Sequence, residues 1–458
     1  IAVGRHVYSY LGAGFDDEIS LSDQSLYDLS QTQGAYVVSV TPGSPAAADT
    51  TSGEPQFRKE PQVKKFLLVG CGGSGGATLR YAMDQLRADL LVHGIQELPP
   101  AWQFVHIDVN PTPESTPGLG SIRDLGGRYL SVSSPGNTYS LVSNSVESAL
   151  GARQELRSLV GWAPLPKREA NAVNVISGAG QNRAIGRMLT LTRLKDLQTE
   201  LTRAWEQLQR PDAWGDLPVR YPEGGPYETG SHVIPIVVGS MAGGSGASMF
   251  LDVCRILGRV PGIARSELGV FLYTSDVFNE LPESLRTGVD GNAIGAMGDV
   301  IAAQTRASDA ADGALLSALG LPPETVDEPL FKRVIPIGAS IGGDGGKFGD
   351  GTMQGVYRGL GRALAATVGS EAAAAQYVST KLENTTAPPM DRNSLGWGVD
   401  PNVFAWGSFG YASLSLGRDR YAEYASQRLA RNAVNRLLRG FRSQQSQLPA
   451  EEQLKQRV

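Results

Sequence analysis

The chain has 458 residues, 41% apolar and 19% charged, with 41 Lys and Arg against 46 Asp and Glu for a formal net charge of −5. A chain this long and apolar buries a large core, which excludes whole-chain disorder, and no basic block marks a nucleic-acid surface. The two cysteines, Cys71 and Cys254, exclude a disulfide framework and a four-cysteine zinc site, and His6, His93, His106 and His232 have no paired-ligand spacing.

No run of 18 apolar residues and no leader pattern is found, so no membrane insertion and a cytoplasmic location are expected. The chain opens on Ile1 rather than Met, so an upstream start is expected. Glycine is the compositional outlier, with 56 residues, well above the usual share of about 7%. There is no Gly-X-Y period, which excludes collagen.

In chain order, Ala35–Val40 reads as a strand, and Thr41–Glu60, rich in Pro, Ser, Thr and Gly, as a linker. Residues 1–62 therefore form an N-terminal extension. The apolar run Lys65–Gly70 is a buried strand, and Thr78–Leu91 has helical spacing in Leu79, Met83, Leu86 and Leu90. Phe104–Val109 is a second strand, Ser140–Leu159 a helix, Ala172–Ile176 a third strand and Arg183–Trp205 a long helix. Further strands are expected at Val233–Gly239, Leu268–Tyr273 and Arg333–Gly338, with helices at Ser248–Leu257, Asn292–Thr305 and Thr352–Val368. Gly410–Leu416 reads as a strand and Asp419–Phe441 as a helix with a solvated basic face. Alternating strands and helices, with strands apolar throughout, predict an α/β fold on a mostly parallel, doubly wound sheet.

Three glycine-rich loops each follow a predicted strand and precede a predicted helix. The first is Gly70-Cys71-Gly72-Gly73-Ser74-Gly75-Gly76, the second Gly239-Ser240-Met241-Ala242-Gly243-Gly244-Ser245-Gly246, and the third Gly178-Ala179-Gly180-Gln181-Asn182-Arg183. Glycine lets the backbone approach a ligand closely, and bare amides at a helix start favour an anion such as phosphate. The plain alternative for any one loop is a tight turn with no ligand. Three together would converge at the carboxyl edge of the sheet, where doubly wound folds bind ligands.

In order and spacing, these loops resemble those of the tubulin and FtsZ superfamily, closest to divergent bacterial tubulin-like proteins. Ala242–Ser248 resembles the signature loop GGGTG[ST]G, with serine for threonine. Gly70–Gly76 is similar to the first FtsZ loop, and Gly178–Arg183 to the loop that contains GAG. The resemblance implies a GTPase domain over 63–370 with a central helix, and an incomplete or divergent second subdomain over 371–458. It implies GTP or GDP with Mg²⁺ held through phosphates and water, and a head-to-tail homo-oligomer with nucleotide at subunit interfaces. It places Asp108 near the nucleotide and its magnesium, Asp276 and Asn279 near the ribose, Asn292 on the guanine edge, and Tyr357 stacked on the base. Gly410–Leu416 with Arg418-Asp419-Arg420 resembles the FtsZ stretch GYAMMG followed by GEDRAEEAA.

The family's hydrolytic acidic loop, N-x-D-x-x-D in FtsZ, has no clean copy here. Asp400 in Gly398-Val399-Asp400-Pro401-Asn402 is the nearest catalytic candidate, and an Asp-Pro turn explains it equally well. Two other readings stay open at this point. One is a scaffold that binds nucleotide without turnover. The other is a dinucleotide-binding or adenylating enzyme, since Gly70–Gly75 also fits G-x-G-x-x-G. Its expected acid stands about 20 residues on, whereas Asp108 lies 33 residues past Gly75, and the second loop is left unexplained.

Overall fold

The computed structural model describes residues 64–116, 118–222, 225–227, 230, 233–323, 328–331, 334–341, 346–369, 418–439 and 452. The strand expected at Ala35–Val40, the linker, Asp400 and Gly410–Leu416 lie outside the described residues. The chain divides into two units. Of one, the helix Arg418–Arg439 is described; its Tyr424, Leu429, Val434, Leu437 and Leu438 are exposed. The other holds the sheet.

Among the described residues the main sheet has six strands: β1 (Lys65–Cys71), β2 (Trp102–Asp108), β3 (Arg128–Ser131), β4 (Val233–Ser240), β5 (Gly269–Tyr273) and β6 (Val334–Ile337). Every pairing is parallel, in the order β3-β2-β1-β4-β5-β6. The order reverses between β1 and β4, which makes their carboxyl ends the switch point of the sheet. Both strands are buried along their whole length, as expected for strands covered on two faces.

The pleat sends alternate β1 side chains to opposite cores. Phe66 and Leu68 pack with helix α1 (Gly72–Leu91), through Leu79, Met83 and Leu86. Leu67, Val69 and Cys71 pack on the other face with helices drawn from α2 (Tyr139–Leu150), α3 (Arg183–Leu191), α4 (Leu194–Leu208), α5 (Gly246–Leu257), α6 (Val289–Gln304) and α7 (Asp309–Ala318). Helix α8 (Met353–Gly369) packs on α1, and at Gly361 a Cβ would stand 2.8 Å from the Thr78 carbonyl oxygen. Only a residue without a side chain permits that approach.

Four expectations are corrected. Ala172–Ile176 forms no strand: Ala172 and Asn174 are exposed, and the segment turns out of a short helix at Arg168–Asn171. The strand missing from the reading is β3, whose sequence RYLS carries too few apolar residues to stand out. The long helix expected at Arg183–Trp205 is two, α3 and α4, broken at Thr192 and Arg193. The helix expected over Ser140–Leu159 ends at Leu150, because Gly151 takes φ +71° and closes α2. Helix α1 starts at Gly72, six residues before its apolar spacing becomes visible.

Four charges cross the helical layer on the α5 face. Arg187 makes a two-point contact with Asp252, Nε to Oδ2 at 3.0 Å and Nη2 to Oδ1 at 3.1 Å, and reaches Asp312 Oδ1 at 2.6 Å. Arg255 donates to Asp312 Oδ2 at 2.5 Å and to Ser308 Oγ at 3.0 Å. Asp252 is fully buried and Arg255 nearly so. Burial alone would raise the Asp312 carboxyl, but Arg255 and Arg187 outweigh it and hold it below the usual carboxylate range.

A depressed carboxyl contributes stability above its unfolded pKa of about 3.9, and loses it as pH falls through the folded value. Denaturant titration is therefore expected to give a stability that falls below about pH 4. Asp312→Asn should be less stable at neutral pH and lose less on acidification. Asp252→Ala, which removes the two-point partner of Arg187 and leaves Asp312 as the one carboxylate facing both arginines, should cost about 3 kcal/mol.

Candidate functional site

The first two glycine loops meet at the switch point. Gly72 has φ +73°, and a Cβ there would lie 2.6 Å from the Gly246 nitrogen. A Cβ at Gly246 would stand 2.8 Å from the Cys71 carbonyl oxygen. Gly75 lies against the Val238 carbonyl of β4, and Gly76 against the His106 ring. The glycines of the first loop thus form the opening turn of α1 and let it sit directly on the sheet. Gly73 and Ser74 are half-exposed at the rim.

Helices α1 and α5 both begin here, and neither has a side-chain cap. Their first-turn N–H groups lack intrahelical acceptors, and the helix dipoles add positive potential at the same place. In the second loop, Ser240 Oγ accepts from the Ala242 amide at 3.0 Å and the Gly243 amide at 3.3 Å. That hydroxyl shapes the turn and takes up two of its amides. A Cβ at Gly243 would meet nothing within 4 Å, and Gly243 and Ser245 are half-exposed while Gly244 and Gly246 are buried.

The third loop joins the second. A Cβ at Gly244 would stand 2.9 Å from the backbone nitrogen of Gln181. Gly180 has φ +54° and Gln181 φ +60°, a left-handed conformation uncommon outside glycine. Ala179 is buried, and Asn182 caps α3 by accepting from the Ile185 amide at 3.1 Å. Arg183, on the first turn of α3, pairs with Asp299 of α6.

Asp108 ends β2, is 6% exposed, and accepts from the Val109 amide at 2.7 Å. His106 Nε2 lies 3.1 Å from the Gly72 carbonyl oxygen, which ties the second strand to the first loop. Cys71 is buried, and burial, with Cys254 and Asp108 nearby, pushes its thiol well up, so it is no nucleophile. Glu114, not selected from the sequence, puts Oε2 3.7 Å from where a Gly73 Cβ would stand, and its carbonyl accepts from Arg80 at 3.0 Å.

The remaining candidates part company. Asp276 binds the end of β6 instead of projecting freely. Its Oδ2 accepts from the Ala339 amide at 2.9 Å and the Ser340 amide at 3.1 Å, and Thr274 donates to Oδ1. Asn279 is exposed. Tyr357 is 4% exposed and stands edge-on to Tyr273, ring centroids 4.9 Å apart, in the core on the α1 face. Asn292 belongs to α6, whose Ala293, Ala296 and Val300 pack in the core on the opposite face.

A cavity of about 660 Å³ opens beside the third loop, lined by Gln181, Arg183, Arg187, Asn292, Asp299 and Trp162 among others. Its arginines are spent on Asp252, Asp299 and Asp312. The charges on its wall are therefore already paired with one another. Among the described residues, no group of three or more His, Cys, Asp or Glu is placed to hold a metal, and no helix is long and apolar enough to cross a membrane.

Residues 67–435 match the model of a family described as tubulin like. The chain belongs to this tubulin-like family. A search among curated proteins finds no match. The six-stranded parallel sheet is the nucleotide-domain architecture that membership implies. In this tubulin-like protein, Ser240 and Gln181 lie inside the glycine-rich loops, where the clustered glycines are the stronger signal. Glu114 had no motif, and its one signal was its place in the loop that follows β2.

The glycines separate by environment, and their alanine variants should separate too. Gly246→Ala, forced onto the Cys71 carbonyl, is expected to lose about 1–3 kcal/mol in chemical denaturation. Gly243→Ala, with open space around it, should stay within about 0.5 kcal/mol of the parent.

Proposed function

We propose that this tubulin-like chain binds a guanine nucleotide at the junction of β1 and β4, and that it hydrolyses GTP in a head-to-tail assembly of its own copies. The observation that carries the reading is the pair of uncapped helix starts, α1 and α5, locked together through Gly72 and Gly246. Two positive helix ends with bare amides suit a polyphosphate. In this reading the phosphates rest on Gly72–Gly75 and on Gly243–Ser245, and Gly178–Gly180 closes over the terminal phosphate. Asp276 supports the ribose side indirectly, by holding the chain after β6, and Asn279 stands free to reach it.

Magnesium would be held by phosphate oxygens and water, with Glu114 beside Gly73 the carboxylate placed to orient that water. When bound, it neutralises charge on the transferring phosphoryl group. The chain's own part is positional: amides fix the phosphates and hold them against displacement by water. A dinucleotide reading is less well supported. Asp108 does end β2, but its carboxylate is buried and committed to Val109, and the contact between the first and second loops would have no purpose.

Calorimetry with GTP, GDP and ATP tests the binding. GTP is expected to bind clearly more tightly than ATP, and Gly243→Val to lose at least about tenfold in GTP affinity with little change in melting temperature. Absence of guanine-nucleotide binding would overturn the reading. Phosphate release per subunit should rise with protein concentration if the hydrolytic site is shared between copies, and stay flat if each copy acts alone.

A further inference from the structure

We propose that Asn292 is a positioning residue that clamps the second and third glycine loops together, rather than a reader of the base. The inference rests on the nucleotide site proposed above. The side-chain amide of asparagine has two N–H donors. In Asn292 Nδ2 gives to the Gln181 carbonyl at 2.8 Å and to the Ala242 carbonyl at 3.1 Å. One acceptor lies in each loop, so both donors are committed to main chain.

The geometry explains why such a clamp is needed. Gln181 is held at φ +60° without being glycine, a conformation that persists only where its surroundings enforce it. Among the described residues, its side-chain Oε1 is buried with no hydrogen-bond partner, so the side chain contributes no such restraint. Gly244 already packs against the Gln181 backbone. Asn292 adds the polar tie across the same contact. Helix α6 fixes Asn292 itself: Val289 and Ala293 are buried on either side of it, and Asp299 two turns on pairs with Arg183 at the start of α3. Without the amide, two carbonyl oxygens would face each other across the gap, and the third loop would lose its attachment to the second.

Two consequences separate a clamp from a base reader. A clamp bears on the terminal phosphate, over which the third loop closes, and so on GTP against GDP. A base reader bears on guanine against adenine.

The test compares the parent chain with Asn292→Ala, and with Asn292→Ser, which keeps a shorter donor. Amide hydrogen exchange without nucleotide is the first readout. Faster exchange in residues 178–182 and 241–246 together, with α4 and β1 unchanged, supports the clamp; unchanged exchange in both loops overturns it whether or not nucleotide binds. Calorimetry is the second. Asn292→Ala is expected to lose about tenfold in GTP affinity and less than about threefold in GDP affinity, with the preference for GTP over ATP retained. Asn292→Ser should fall between. Equal losses for GTP and GDP, or a collapse of guanine preference, would overturn the inference. If the parent binds no guanine nucleotide, the proposed function fails while the exchange result still decides the clamp.

Discussion

Backbone packed on backbone at the junction of β1 and β4 sets the position of everything around the candidate site. Gly75 rests on the Val238 carbonyl, Gly72 on Gly246, and Gly244 on Gln181. A single Cβ at any of these points would push a helix off the sheet or a loop off its neighbour. Glycine in a helical turn costs roughly 0.5–1 kcal/mol relative to alanine, and α1 carries four in its first five residues. That cost is offset because α1 and α5 then start within van der Waals reach of each other. Other glycines stand apart from this packing: Gly243 has open space around it, and Gly73 only the Glu114 carboxylate nearby. In the proposed site the same residue type serves two opposite ends, contact in one case and vacancy in the other.

Much of this was legible in the sequence, and the parts that were not have physical reasons. β1, β2, β4 and β5 announced themselves because strands buried on both faces must be apolar at nearly every position. The first and second loops were visible because clustered glycines are rare. The early start of α1 was hidden, since a glycine turn has no apolar periodicity to read. Ala172–Ile176 looked like a strand from composition, yet only Val175 in it is buried. Asn292 was placed on a base by resemblance, and nothing in a linear sequence reveals that its amide faces two carbonyls from segments 50 and 111 residues away. The Arg187, Arg255, Asp252 and Asp312 cluster was equally invisible, because its members come from three helices whose mutual placement only the fold decides.

That cluster bears on the chemistry by what it withholds. A cavity with Arg183, Arg187 and Arg255 on its wall invites an anion at first sight. Each guanidinium is already paired, Arg183 with Asp299 and the other two with Asp252 and Asp312. Recruiting Arg187 or Arg255 for a phosphate would take a partner from the buried Asp252 and Asp312, at a cost of several kcal/mol. In the proposed site, positive potential for a polyphosphate comes from main-chain amides at the carboxyl edge. Amides carry partial charges fixed by the fold, so they need no counterion to survive burial and no side-chain ordering to act.

An amide cradle recognises phosphate and is indifferent to what the phosphate is attached to. In the proposed site, base selectivity has to come from side chains, and the two that resemblance assigns to the base are already engaged. Tyr357 is sealed against Tyr273 beside Thr78, whose hydroxyl meets that of Tyr273 at 2.6 Å. Asn292 is committed to the loops. The proposed polyphosphate cradle is built into the sheet edge by glycine packing, where substitution disturbs the fold itself. The ends of β5 and β6 are held differently, by Asp276 tying two amides of the following chain. A polar tie at an edge tolerates change that backbone packed on backbone does not, so side chains there can vary while the glycine junction stays fixed.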